Sequence, residues 1–207
     1  MRRLWGRANS SNVMKVIWLL EELKLPYERL DAGGSFGKTD TQAYRAMNPN
    51  GLVPTLQEDD FTLWESNAIL RYLCHVYAPH SPLWPDDAHA RANIDRWMDW
   101  QQTTLGPPIG VIFWNLVRTR PEQRDQAAID TAIKNCTRIW GILEAELARH
   151  PYVGGQEFTI GDIPLGVHVH RWFKMAFDRP ALPHLEAWYN RLRERAAYRS
   201  HITLPLS

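Results

Sequence analysis

Three short polar segments of the sequence lie where the chain passes into a predicted helix or strand, and each could bind a polar ligand. The first, Ser10-Ser11-Asn12, precedes apolar residues at helical spacing. The N-terminus of a helix exposes unpaired backbone N–H groups and a partial positive charge, which favour an anion. A hydroxyl or amide at that point can donate one more hydrogen bond, although the same residues also serve as ordinary N-caps.

The second segment is Leu52-Val53-Pro54-Thr55, which follows the turn sequence Asn48-Pro49-Asn50-Gly51. A proline at the beginning of a strand is typical of a tight bend, and X–Pro bonds are the only peptide bonds that adopt the cis form at low cost, so a cis Val53–Pro54 bond is one way to form the bend. The bend would leave the Val53 N–H and C=O facing outward, where a peptide-like ligand could pair with them as an added strand. An edge-strand proline without any ligand is the competing interpretation.

The third segment, Trp64-Glu65-Ser66-Asn67, also joins a predicted strand to a predicted helix. A helix start that carries a carboxylate and a hydroxyl offers an acceptor for an ammonium group and donors for a carboxylate. Capping alone would explain this segment equally well.

Several common catalytic arrangements are missing from the sequence. It has no P-loop, no GxGxxG after the first predicted strand and no GxSxG. His168 and His170 flank Val169, so on a helix they point in different directions, and we expect no metal site. Cys74 and Cys136 are far apart and form no disulfide or metal spacing, and Cys74 is expected in the core. The reactive group is therefore expected to come from a ligand.

Composition excludes other classes of function. The chain has 24 basic and 23 acidic side chains, a net charge of +1, so it lacks the basic patch of a nucleic-acid-binding protein. No stretch approaches the roughly 20 apolar residues of a membrane span, and the N-terminus lacks a signal-peptide pattern. We therefore expect a cytoplasmic protein with no nucleic-acid or membrane partner.

The order of predicted elements indicates two domains. Residues 1–79 give strand-helix-strand-helix-strand-strand-helix, which predicts an α/β layer with a mixed sheet and a third strand over 53–57. The proline-rich residues 80–85 are the predicted linker. Beyond them, 86–207 is predicted to be all helical, and Gly106-Pro107-Pro108 should kink or split the first helix. Thr159-Ile160-Gly161-Asp162 has the form of a capping box, to which we assign no chemistry.

Taken together, the three polar segments and the capping-box segment Phe158-Thr159-Ile160-Gly161-Asp162 resemble the glutathione transferase family, in particular its bacterial theta-like and nu-like members. The resemblance covers essentially the whole chain. It implies a thioredoxin-like N-terminal domain with a mixed four-stranded sheet that binds glutathione. It also implies an all-α C-terminal domain that shapes the pocket for a small apolar electrophile, and a homodimer.

The resemblance also implies roles for individual residues. The hydroxyl at the Ser10 position donates to the glutathione sulfur, and in nu-like members the amide at Asn12 takes much of that role. The Val53 backbone pairs with the cysteinyl unit, and Glu65 and Ser66 hold the γ-glutamyl group. We place Leu52 and Pro54 in the same glutathione site. Around the 106–108 kink, the candidate walls of the electrophile pocket are Thr103, Thr104, Phe113 and Trp114, although interhelical core is their competing interpretation.

The sequence departs from the family pattern in ways that leave alternatives open. Ser10, Ser11 and Asn12 are adjacent, so the sulfur donor is ambiguous, although the spacing to Val16 favours Ser10. Some relatives have a lysine where this chain has Leu52, and many have a basic residue where it has Asn67. No cysteine lies near Ser10. A glutathione-dependent peroxidase or disulfide-bond reductase, a dehalogenase, and a non-catalytic ligand-binding protein of the same fold remain alternatives to the transferase.

Overall fold

The computed structural model describes all 207 residues and divides the chain into two compact units, Met1–Trp84 and Pro85–Ser207. The first unit contains every strand of the protein. Its strands are β1 (Arg2–Trp5), β2 (Glu28–Leu30), β3 (Thr55–Glu58) and β4 (Phe61–Trp64), and its helices are α1 (Ser11–Glu22), α2 (Gln42–Met47) and α3 (Ser66–Tyr77).

The four strands form one mixed sheet in the order β2-β1-β3-β4. Strand β1 is parallel to β2 and antiparallel to β3, which is in turn antiparallel to β4. The predicted mixed four-stranded sheet is therefore confirmed. The third strand begins at Thr55 rather than at Val53, and Pro54 accounts for the difference because it has no N–H to donate to the ladder.

Helix α1 is buried along most of its length. All residues from 13 to 20 are buried, so the helix is covered on every side over two turns. Such a helix needs almost continuous apolar sequence, and Lys15 is the only charged residue in that run. Helix α3 packs against α1, and this packing brings the N-termini of the two helices together.

The second unit is entirely helical. Its α-helices are α4 (Ala88–Trp100), α5 (Gly106–Phe113), α6 (Gln126–Leu147), α7 (Asp162–Lys174), α8 (Pro183–Arg193) and α9 (Ala196–His201). No helix of the protein combines the length and apolar character that a membrane span requires.

The interruption predicted at Gly106-Pro107-Pro108 takes the form of a π-helical turn, Gln101–Leu105, which joins α4 to α5. Proline has no N–H for the preceding turn, and its ring crowds the carbonyl four residues earlier. The prolines lie in the first turn of α5, directly after the π turn, where their missing N–H groups are tolerated.

The capping-box segment holds the start of α7. The helix begins at Asp162, and the Asp162 carboxylate accepts hydrogen bonds from the Thr159 N–H (2.9 Å) and the Thr159 hydroxyl (3.2 Å). Two more donors come from outside the segment, the Val153 N–H (3.1 Å) and the Trp188 indole N–H (2.9 Å). Asp162 therefore ties the start of α7 to the preceding loop and to α8.

His170, in the buried middle of α7, links two other parts of the helical unit. Its Nδ1 lies 2.9 Å from the Tyr189 hydroxyl and its Nε2 lies 3.2 Å from the Leu204 carbonyl. Burial lowers the pKa of His170 to about 4, and the positive charges of Lys174, Arg171 and Arg193 act in the same direction. The ring is therefore neutral in the folded protein near pH 7.

This depressed pKa makes stability depend on pH. Between pH 6.5 and 4 the unfolded chain binds a proton at His170 that the folded chain does not, so the folded state loses stability as the pH falls through that window. We expect His170 to account for about 2 kcal/mol of stability lost between pH 7 and pH 5. Urea unfolding of wild type and His170→Gln at both pH values measures this, with the exposed His89→Gln as control. An equal loss of stability in wild type and His170→Gln would contradict the assignment.

Candidate functional site

Ser10 is the N-cap of α1, and its hydroxyl is not used for capping. The residue has extended dihedrals (φ −80°, ψ 125°) and only 8 % exposure, and its side chain makes no hydrogen bond. Its backbone N–H donates to the Arg7 carbonyl (3.2 Å), and its own carbonyl accepts from the Met14 N–H (2.8 Å). An N-cap serine ordinarily bonds an N–H in the first helical turn. The Ser10 hydroxyl is instead left to donate to another group at a helix N-terminus.

The other two residues of the first polar segment differ from Ser10. Ser11 is the first residue of α1 and is half-buried, whereas the Asn12 side chain is exposed. Asn12 Oδ1 accepts a hydrogen bond from the Ser66 hydroxyl at 3.4 Å, the long end of the normal range. The first and third polar segments, predicted separately, are thus in direct contact.

The third polar segment places Glu65 and Ser66 at the start of α3. Glu65 is exposed and has φ 71°, ψ 108°, a conformation that residues other than glycine rarely adopt. Such strained residues persist where surrounding structure imposes them and are found disproportionately at binding sites. Ser66, the first residue of the helix, is almost completely buried and also accepts from the Lys15 ammonium (3.4 Å).

The second polar segment is fixed by its neighbours in a way that leaves Val53 accessible. The Leu52 carbonyl accepts from the Tyr44 hydroxyl (2.7 Å) and the Asn48 amide (2.9 Å). Both side chains also bond the Thr55 hydroxyl, at 2.9 Å and 3.1 Å. The Val53–Pro54 bond is cis. The Val53 N–H and C=O make no hydrogen bond within the protein, and the residue is half-buried.

Sequence reasoning did not identify Tyr44 as part of this arrangement. Tyr44 is buried on α2, and nothing local to its sequence shows that its hydroxyl reaches the chain eight residues later. Asn48 belonged to the recognised turn, and an asparagine before proline is a common turn residue that bonds nearby backbone. Asn48 could therefore have been inferred as the residue that holds Leu52.

Gly6 brings the second polar segment close to the beginning of α1. A side-chain carbon at Gly6 would lie 2.4 Å from Val13 Cγ2 and 3.3 Å from Val53 Cβ, and its φ is 154°. Only glycine fits between the helix and the Val53 segment. All three polar segments therefore meet at one end of the N-terminal unit.

The four candidate pocket residues in the helical unit do not share one environment. Phe113 is in the core, with the Arg171 guanidinium 3.9 Å from its ring centre. Trp114 is 61 % exposed, and Thr103 is exposed with its hydroxyl donating to the Asp99 carbonyl (2.9 Å). Thr104 is half-buried, and its hydroxyl is 3.5 Å from that of Thr103. Thr103 and Trp114 are thus accessible, whereas Phe113 packs inside.

No cluster of three or more histidine, cysteine or acidic side chains in the chain could hold a metal ion. Cys74 and Cys136 are both buried, and burial raises the pKa of each thiol to about 12. They are therefore neutral thiols near pH 7, without the thiolate character of a reactive cysteine.

Comparison with known proteins matches both units to one family. The model of the glutathione S-transferase N-terminal domain matches residues 2–75, and that of the glutathione S-transferase C-terminal domain matches 126–191. Glutathione S-transferase GstB of Escherichia coli strain K12 is 46% identical over 209 residues, with 100% of both chains covered. The theta class glutathione S-transferase of Xanthomonas axonopodis pv. citri, solved with glutathione bound, superposes with a TM-score of 0.95 at 48% identity, covering 100% of this chain and 99% of that one. A glutathione S-transferase of Pseudomonas fluorescens gives a TM-score of 0.84 at 29% identity, covering 99% and 98%.

Proposed function

Because this chain belongs to the glutathione S-transferase family, we propose that it binds glutathione at the meeting point of its three polar segments and uses Ser10 to hold the thiol as a thiolate. The Ser10 hydroxyl donates to the sulfur, and the Asn12 amide is a second donor. The observation that carries this proposal is the almost buried Ser10 hydroxyl, which lies at the N-terminus of α1 and caps nothing.

The available interactions are strong enough for this task. A free cysteinyl thiol has a pKa near 8.5, and lowering it by about two units needs roughly 2.7 kcal/mol of preferential interaction with the thiolate. A hydrogen bond to a charged group contributes about 1.5–3 kcal/mol. A helix N-terminus adds about 0.3–1 kcal/mol. Ser10 and α1 together therefore suffice without a general base.

The other groups of glutathione match the remaining segments. The γ-glutamyl carboxylate binds the Ser66 hydroxyl and the N-terminus of α3, and the γ-glutamyl ammonium binds the Glu65 carboxylate. The cysteinyl backbone pairs with the unbonded N–H and C=O of Val53, as an added strand flanked by Leu52 and Pro54. The glutathione-bound Xanthomonas relative, with its high structural similarity over the whole chain, supports this placement.

The chemical step follows from a thiolate held in this way. The thiol proton is released to solvent when glutathione binds. The sulfur lone pair attacks an electrophilic carbon of a small apolar substrate, a carbon–sulfur bond forms, and the leaving group departs with the electron pair of the broken bond. The Ser10 hydroxyl keeps its proton throughout and stabilises charge on sulfur. The protein's task is to orient and desolvate the nucleophile.

A second candidate function rests on Asn12. Its exposed amide beside Ser10 is the feature that resembles nu-like relatives, and a bound thiolate attacking a peroxide oxygen or a disulfide sulfur would give a glutathione-dependent peroxidase or disulfide-bond reductase. Turnover assays with a haloaromatic, an organic peroxide and a disulfide substrate distinguish these activities. We also extend the family's homodimer to this chain, which sedimentation equilibrium tests directly.

A glutathione titration tests the central proposal. We expect saturable binding at neutral pH with the ultraviolet absorbance of a thiolate. Binding without thiolate absorbance would reduce the protein to a carrier or peptide-binding module. No binding at all would contradict the proposed site.

The electrophile pocket is tested through its exposed aromatic residue. If Trp114 lines the pocket, Trp114→Ala removes apolar contact area and should raise the KM for an apolar electrophile about 3- to 10-fold, with the KM for glutathione unchanged. Steady-state kinetics with each substrate varied in turn measures both values. Val111→Ala, an exposed apolar residue on the same helical run, is the control. Equal effects of both substitutions on the KM for the electrophile would show that Trp114 does not line the pocket.

A further inference from the structure

Lys15 is a charged side chain in the middle of an apolar helix. It is 1 % exposed, and the other residues from 13 to 20 are all apolar. Lysine is almost never fully buried without hydrogen-bonding partners, because moving an ammonium out of water carries a large free-energy cost. A methionine would satisfy the packing of α1 at lower cost. The presence of an amine at this position therefore points to a role beyond packing.

The Lys15 ammonium reaches the start of α3. Its Nζ lies 3.4 Å from the Ser66 hydroxyl oxygen. An ammonium can only donate, so Ser66 Oγ must be the acceptor in this bond. The Ser66 proton then points away from Lys15, and in this structure it is donated to Asn12 Oδ1 at 3.4 Å.

This arrangement prepares Ser66 as a donor to an anion. One lone pair of its oxygen is taken by a cation, which strengthens the donor character of its O–H group. The positive charge itself lies directly behind the hydroxyl, in a part of the protein that excludes water and therefore screens it weakly. Glu65, the neighbouring acidic residue, is exposed. Water therefore screens the Glu65 carboxylate more strongly than it screens the buried Lys15 ammonium.

We propose that Lys15 is a positioning residue that makes glutathione binding depend on the γ-glutamyl carboxylate. It acts through Ser66 in two ways. Its hydrogen bond directs the Ser66 proton away from Lys15 and toward the ligand, and its positive charge lies next to the Ser66 oxygen. This inference rests on the proposed function, because it assigns the carboxylate of the same bound glutathione to Ser66. Lys15 itself does not contact the thiol.

Two thiol peptides separate this role from a general structural one. 4-Aminobutyryl-cysteinyl-glycine lacks only the α-carboxylate of glutathione, and glutaryl-cysteinyl-glycine lacks only its α-amino group. Wild type should bind the carboxylate-free peptide about 10- to 100-fold more weakly than glutathione, the range expected for one charge-assisted hydrogen bond. It should also bind the amine-free peptide more weakly, because Glu65 loses its partner.

The decisive variant is Lys15→Met, with the exposed Lys24→Met beyond the end of α1 as matched control. We expect Lys15→Met to weaken the binding of glutathione about 10-fold or more. It should also abolish most of the preference for glutathione over the carboxylate-free peptide. Its preference over the amine-free peptide should stay within about 2-fold of wild type. Lys24→Met should retain both preferences. Calorimetric titration of the three peptides gives these ratios, and thermal unfolding confirms that the variants are folded.

Each outcome decides between the inference and its premise. If Lys15→Met keeps the wild-type preference for the carboxylate, the inference is overturned while the proposed function stands. If it loses both preferences equally, Lys15 has only a structural role and the inference also fails. If wild type binds none of the three peptides, the proposed function itself fails. Should Lys15→Met unfold, Lys15→Gln, which is neutral and polar, gives the same comparison.

Discussion

Replacing Ser10 by alanine is expected to lower kcat/KM with glutathione about 10- to 100-fold without destabilising the protein. The variant removes the hydrogen bond to the sulfur, which contributes about 1.5–3 kcal/mol to a charged partner. Because the hydroxyl caps no N–H of α1, alanine breaks no intrahelical bond. The free energy of unfolding should therefore change by less than about 0.5 kcal/mol.

Thr41 provides the matched contrast for this prediction. It is the N-cap of α2, and its hydroxyl accepts from the Tyr44 N–H at 3.2 Å. Thr41→Ala should cost about 1 kcal/mol of stability, as ordinary caps do, whereas Ser10→Ala should not. Urea unfolding and steady-state kinetics on both variants measure the two effects. An unchanged thiolate absorbance in Ser10→Ala would contradict our assignment and transfer the role of sulfur donor to Ser11 or Asn12.

Asp162→Ala should lower the free energy of unfolding by about 3–5 kcal/mol at pH 7.5. Its carboxylate is fully buried and accepts four hydrogen bonds, from Val153, from Thr159 twice and from Trp188. Burial raises the pKa of Asp162 to about 6, and the four donors act in the opposite direction, so the group is ionised at pH 7.5. Alanine leaves these buried donors without their acceptor, which is among the most costly kinds of single substitution.

Asp125 is the matched control for Asp162. It is the N-cap of α6 and accepts one hydrogen bond, from the Ala128 N–H at 2.9 Å, near the surface. Asp125→Ala should lose only about 1 kcal/mol, the ordinary value of a cap. Chemical denaturation of both variants gives the comparison. A loss in Asp162→Ala no greater than that in Asp125→Ala would show that the contacts to Val153 and Trp188 add nothing to stability.

The sequence by itself determined the features that depend on neighbouring residues. It predicted the order of strands and helices, the mixed sheet and the interruption near Gly106, because apolar spacing, caps and prolines act within a few residues. It also located the Val53–Pro54 bend and the three polar segments. The hydrogen-bonding choices of Ser10, Asn12 and Ser66 were ambiguous, because every one of them could equally have been a cap.

The tertiary structure decided which of those choices was made. Lys15 and Ser66 are 51 residues apart in the chain, and only the packing of α3 on α1 joins them. Asp162 and Trp188 are 26 residues apart, so the capping-box pattern did not indicate that the Asp162 carboxylate also accepts a hydrogen bond from Trp188 on α8. Phe113 turned inward while Trp114 stayed exposed, which composition alone could not separate. Local propensity sets the conformation of each segment, whereas burial and hydrogen-bond partners are set by contacts between segments distant in sequence.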